Sequence, residues 1–149
     1  MVTESNSPQP EFHALGRREV VGRFDGSRIT SDGGGLLLRE VDARLGMLPR
    51  PGACFTDYRN PKSVEHSVQV LVAQRVYGLA LGYEDLNVHD TPRADSLLAA
   101  LVGKRGLTGE HRERTRDKGS PLAGSSTLNR LELGAPGSAD GGSLQEDRG

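Results

Sequence analysis

With 149 residues, 19 basic and 20 acidic side chains and a formal charge of −1, the chain has the length of one ordinary domain and no excess of positive charge that would coat nucleic acid indiscriminately. Only 34% of the residues are apolar, 4% are aromatic and none is Trp, while 20 are glycine, so a core must come from short clusters of Leu and Val. A single cysteine, Cys54, excludes an internal disulfide and a multi-cysteine zinc site and suits a reducing, cytoplasmic compartment, and no run of 18 apolar residues offers a membrane span.

Residues 1–16 are polar, contain Pro8 and Pro10 and show no periodicity, which predicts a disordered lead without the make-up of a secretion signal. One small domain is expected over 17–133. Two β-prone stretches between Val20 and Ile29 flank Asp25-Gly26, a pair suited to a tight hairpin turn. Asp32 and Gly33 then read as the turn and cap that start a helix. In it Leu37, Leu38, Val41, Leu45 and Leu48 share one face, opposite Arg39, Glu40, Asp42 and Arg44, and Pro49 and Pro51 end it. Asn60-Pro61, a cap followed by proline in the first turn, predicts a second helix over 61–81, with Val64, Val68, Leu71, Val72, Val76 and Leu79 as its apolar stripe and Glu65, His66, Gln69 and Gln74 on its polar side. Thr91-Pro92 opens a short helix that carries Leu97, Leu98, Leu101 and Val102 and stops at Gly103. Residues 104–120 read as a solvated linker, since Leu107 is the one apolar side chain of the charged run that opens it. A last short helix is expected over Ser125–Leu133, and 134–149 has flexible-linker composition and is expected to be a disordered tail. The fold class is therefore mainly α: a short N-terminal hairpin, three to four helices and disordered ends.

Little in this pattern has the spacing of a reactive site. The glycines after Asp32 sit where a helix N-terminus favours an anion, but Leu36-Leu37-Leu38 stand where a phosphate loop carries Lys and Ser or Thr, so they read as a turn. His13, His66, His89 and His111 are spread too widely for a zinc site, and no metal ligands are assigned. His89 and Asp90 near Glu84 and Asp85 read as a polar connection capping its neighbours. Cys54 lacks a histidine close in sequence and a helix N-terminus to activate it. The run from Lys104 to Lys118 is the one locally basic stretch: Lys104, Arg105, Arg112, Arg114, Arg116 and Lys118 face three acidic side chains, which makes these six the candidate DNA-backbone contacts, without aromatics to stack bases.

Three strings, ITSDGGGLLLREVDARLG, CFTDYRNPKSVEHSVQVLVAQRVYGLALGYEDLN and LAGSSTLNRLEL, together resemble the N-terminal region of a family of bacterial insertion-sequence transposases of the DDE class, in order from Phe24 to Leu133. The resemblance implies a protein of a mobile element that binds terminal inverted repeats and recombines DNA with divalent metal, Mg²⁺, held by three carboxylates of a ribonuclease-H-like domain. In the family that domain lies beyond the equivalent of Leu133, so no catalytic residue and no cofactor are assigned to this chain, and the unlike residues after Leu133 suggest a frameshifted or prematurely ended frame. The expectation is a truncated transposase fragment, inactive alone, whose partners are element-end DNA and itself or intact transposase. The alternative is a small helical interaction or dimerisation protein with no DNA role, paired through its Val/Leu stripe.

Overall fold

The computed structural model describes residues 10–23, 32–48, 50, 54, 57, 64–85 and 90–133. Strands β1 (Glu11–Leu15) and β2 (Arg18–Val21) form an antiparallel hairpin. Its two-residue turn places Gly16 first, at φ 65°, the left-handed region that glycine enters without strain. Glu11 pairs with Val21, Phe12 with Val20 and Leu15 with Arg18, so His13 and Ala14 on β1 stand opposite Glu19 alone. This bulge explains why the strand is hidden in the sequence. Phe12 and Leu15 are three apart, a spacing that a regular strand sends to opposite faces, yet the extra residue lets Leu15 be buried while Phe12 packs on the main core. The expectation of a disordered lead through residue 16 is corrected for this strand, and the Asp25-Gly26 turn lies outside the described residues.

Among the described residues four α-helices follow: α1 (Gly35–Leu45), α2 (Val68–Ala80), α3 (Ser96–Leu101) and α4 (Ser125–Leu133). A mainly α chain led by a hairpin is thus what the sequence leads one to expect, with altered boundaries. α1 follows a turn at Asp32–Gly34 and has no side-chain cap; it ends before the prolines, where Gly46 enters the left-handed region at φ 60° and its N–H bonds the Asp42 carbonyl at 2.7 Å. α2 begins at Val68 instead of residue 61, because Ser67 is extended and its Oγ accepts the Val70 N–H at 3.3 Å, which makes it the working cap. Asn60 and Pro61 lie outside the described residues. Pro92 opens a 3-10 turn (Pro92–Ala94), and the cap of α3 is Asp95, whose Oδ1 accepts the Leu97 N–H at 2.7 Å.

α2 and α3 end alike. Gly82 (φ 93°) and Gly103 (φ 78°) follow the last turns, and the next amides, of Tyr83 and Lys104, reach back to Gly78 and Ala99 at 2.8 and 2.9 Å, the 6→1 bond of a Schellman motif. The main core gathers Leu36, Ala73, Tyr77, Leu98, Ala99, Leu101 and Leu122, and a smaller one gathers Leu71, Ala123 and Leu128. Gly35 lies so close to α3 that a Cβ there would stand 2.5 Å from Leu101 Cδ1, and a larger residue would make that side chain move.

Two helices turn unexpected faces inward. In α1 Leu36 is buried, but Leu37 (62%), Leu38, Val41 and Leu45 (57%) are exposed. The reason lies in the bulge of β1. Arg39 donates from Nη1 to the His13 carbonyl (2.6 Å) and from Nη2 to that of Ala14 (3.1 Å), while Glu40 accepts from the backbone N–H of His13 and pairs with its ring Nδ1. The charged face thereby serves the strand backbone at the bulge. In α2 Val76 and Leu79 are exposed, while Gln74 is fully buried. Its Nε2 donates to the Ala123 carbonyl at 2.8 Å and its Oε1 accepts the Ala123 N–H at 3.0 Å. His66, expected on a solvated helix face, is buried ahead of α2.

Candidate nucleic-acid interface

The charged loop after α3 is folded. Gly109 (φ 69°) is packed so tightly on the backbone of Ser120 and Pro121 that a Cβ would stand 2.6 Å from Ser120 C, and Leu107 reaches the main core. Arg112 organises the loop from within. Its Nη1 donates to the carbonyls of Ser120 (2.9 Å) and Leu122 (3.2 Å), and its Nη2 to Glu65 Oε2 (2.8 Å), with Asp117 Oδ2 at 3.6 Å. Asp117 in turn accepts from Arg93 Nη2 at 2.7 Å, and this hydrogen bond, helped by the charges of Arg112, Arg93 and Arg116, holds its carboxyl below the usual value. The solvated-linker expectation is corrected here, since an arginine with several acceptors in reach can enter a fold that a run of like charges could not.

The six candidate cations therefore divide. Arg112 is committed to the loop. Lys104 is half-buried, and burial, with the charge of Arg112, lowers its pKa. Arg105, Arg114, Arg116 and Lys118 are exposed, Arg116 with 76% of its side chain open and only a loose approach to Asp117 at 3.9 Å. Two cations that sequence reasoning missed join Arg105: an open recess of about 490 Å³ is lined by Leu15, Gly16, Arg17, Arg18 and Arg105. The consecutive arginines after a glycine were the available signal, obscured by the unread strand β1.

Several acidic and polar residues in or near the resemblance strings are spent on the fold. Tyr83 donates its hydroxyl to Asp32 Oδ2 at 2.8 Å, a bond that raises the Tyr83 pKa. So Asp32 lies in the turn ahead of α1 and does not cap the helix with its side chain. Asp90 accepts from the backbone N–H (3.0 Å) and hydroxyl (2.9 Å) of Ser125 at the start of α4, and Glu132 accepts from Arg75 Nε at 2.6 Å. Among the described residues no three of His, Cys, Asp or Glu are grouped to hold a metal ion, and these carboxylates, each facing a donor of the chain, do not fit a two-metal centre. No described helix is long and apolar enough to cross a membrane.

Comparison places this hairpin-led helical chain: it belongs to the family described as transposase DDE domain, group 1, whose model matches residues 12–140. The match starts within β1 and so takes in the hairpin, which the resemblance from Phe24 leaves out. No curated protein and no solved structure matches the chain.

Proposed function

We propose that this chain serves transposition by binding the duplex DNA of an element's ends, with the exposed cations of the folded loop on the phosphate backbone. The observation that carries this reading is the division within the loop: Arg112 is consumed by Glu65 and Asp117, while Arg114, Arg116 and Lys118 stay exposed. Exposed cations outside the Arg112 web suit counterion-releasing phosphate contact. On this reading the described residues supply binding, and the Mg²⁺ chemistry of the family lies with residues outside them. The test is a salt titration of binding to terminal-repeat and scrambled duplexes, with an Arg114→Ala, Arg116→Ala, Lys118→Ala variant beside the parent. The slope of log affinity against log salt is expected to become shallower by up to about 2.7 in the variant, at about 0.9 per lost phosphate contact. Equal slopes and affinities for parent and variant would remove the loop from the interface.

One observation favours a second reading, association with another copy or with intact transposase: the apolar stripe of Leu37, Leu38, Val41 and Leu45 on α1, continued by exposed Met47.

A further inference from the structure

The β1–β2 turn and the end of α3 are 87 residues apart in sequence and are tied together by Arg18 Nη1, which donates to the Arg105 carbonyl at 3.1 Å. The Arg105 side chain lies beside the turn, its Nε 3.9 Å from where a Cβ on Gly16 would stand. Three arginines and no carboxylate line the recess between them, together with buried Leu15. Three other arginines are answered by carboxylates: Arg75 by Glu132, Arg93 by Asp117 and Arg112 by Glu65. Among the described residues Arg17 and Arg105 have no such ion pair. Like charges gathered round one recess repel unless an anion joins them, and the planar fork of arginine matches phosphate oxygens two at a time.

We propose that this recess is a phosphate clamp that grips the backbone of duplex DNA, with Arg17 and Arg105 as its jaws and Arg18 as the tie that sets their spacing. No aromatic lines it, so nothing there stacks on a base; what it offers is charge for a phosphodiester, on a surface open enough for a continuous strand. The inference rests on the DNA-binding reading above and adds to it a second surface, outside the part of the loop tested there.

The experiment compares the full chain with two variants that each remove two exposed cations: Arg17→Ala with Arg105→Ala in the recess, and Arg114→Ala with Arg116→Ala outside it. Thermal melts of both are expected to overlay the parent. In a salt titration on duplex DNA, the recess variant is expected to flatten the slope by about 1.8, for two lost phosphate contacts, and to weaken binding more than the loop variant does. An Arg17→Lys, Arg105→Lys variant is expected to keep most of the slope and lose affinity, because charge remains and the fork does not. A recess variant that binds like the parent overturns the clamp while leaving the DNA-binding reading standing. In parallel, pyrophosphate is titrated onto the parent while the backbone amides of Gly16, Arg17 and Arg105 are followed by NMR. Shifts there without any duplex binding overturn both the DNA-binding reading and the assignment to DNA, and point to a small phosphate ligand. Neither shifts nor duplex binding overturns the clamp altogether.

Discussion

Arg112 and Arg114 stand two apart in the same charged run and lead opposite lives. One closes a web of two carbonyls and two carboxylates; the other faces solvent. Nothing local separates them, because Glu65, which claims Arg112, lies 47 residues earlier in the chain. The basic character of the loop was legible in the sequence, but which of its cations are free was not, since that is decided by long-range acceptors. Arg112→Ala leaves Glu65 and Asp117 short of a donor in a partly enclosed place and is expected to cost about 2–3 kcal/mol in urea unfolding. Arg114→Ala is expected to stay within about 0.5 kcal/mol of the parent. Equal midpoints for the two variants would contradict this division.

At the scale of elements, the helical period of α1 was readable and its orientation was not. A stripe of leucines normally marks the buried side, but here Arg39 and Glu40 meet the bulge of β1 and turn most of that stripe outward. The bulge is itself invisible to a period-2 reading, so one irregularity hid both the strand and the helix face that serves it. The same contact predicts acid sensitivity. The backbone N–H of His13 above all, and then its ring, hold the Glu40 carboxyl below its ordinary value of 4.5. A carboxylate depressed in the folded state stabilises it fully above the unfolded value, and that contribution is lost as pH falls through the lower, folded one. The hydrogen-exchange protection factors of the hairpin amides are therefore expected to fall below pH 4.5, and Glu40→Gln is expected to flatten that dependence. Unchanged acid sensitivity in Glu40→Gln would place its origin elsewhere.

For the molecule as a whole, the order hairpin then helices and the four helical segments could be read from periodicity; of the main core only Leu98 and Leu101 were named by the apolar stripes, and the hydrogen bonds that join the elements could not be read. Gln74 illustrates the gap, a polar residue on the expected outer face of α2 that is fully buried against Ala123. The unpaired apolar side of α1 leads to a prediction at this scale: Leu38→Glu with Leu45→Glu is expected to reduce any concentration-dependent association seen by analytical ultracentrifugation, without lowering the melting temperature, because both side chains are exposed. A variant that associates as the parent does would clear this face of any part in assembly. The Gln74 clip also bears on time. It closes 49 residues, the Tyr83–Asp32 bond 51 and the Arg75–Glu132 pair 57, so a chain built of short helices is sewn shut by distant partners. Helical turns form in about a microsecond or less, whereas contacts between remote segments must wait for the chain to loop back on itself. Its folding rate should therefore be that of a mixed or β-rich topology, set by the arrival of Ala123 at Gln74 long after α2 has wound.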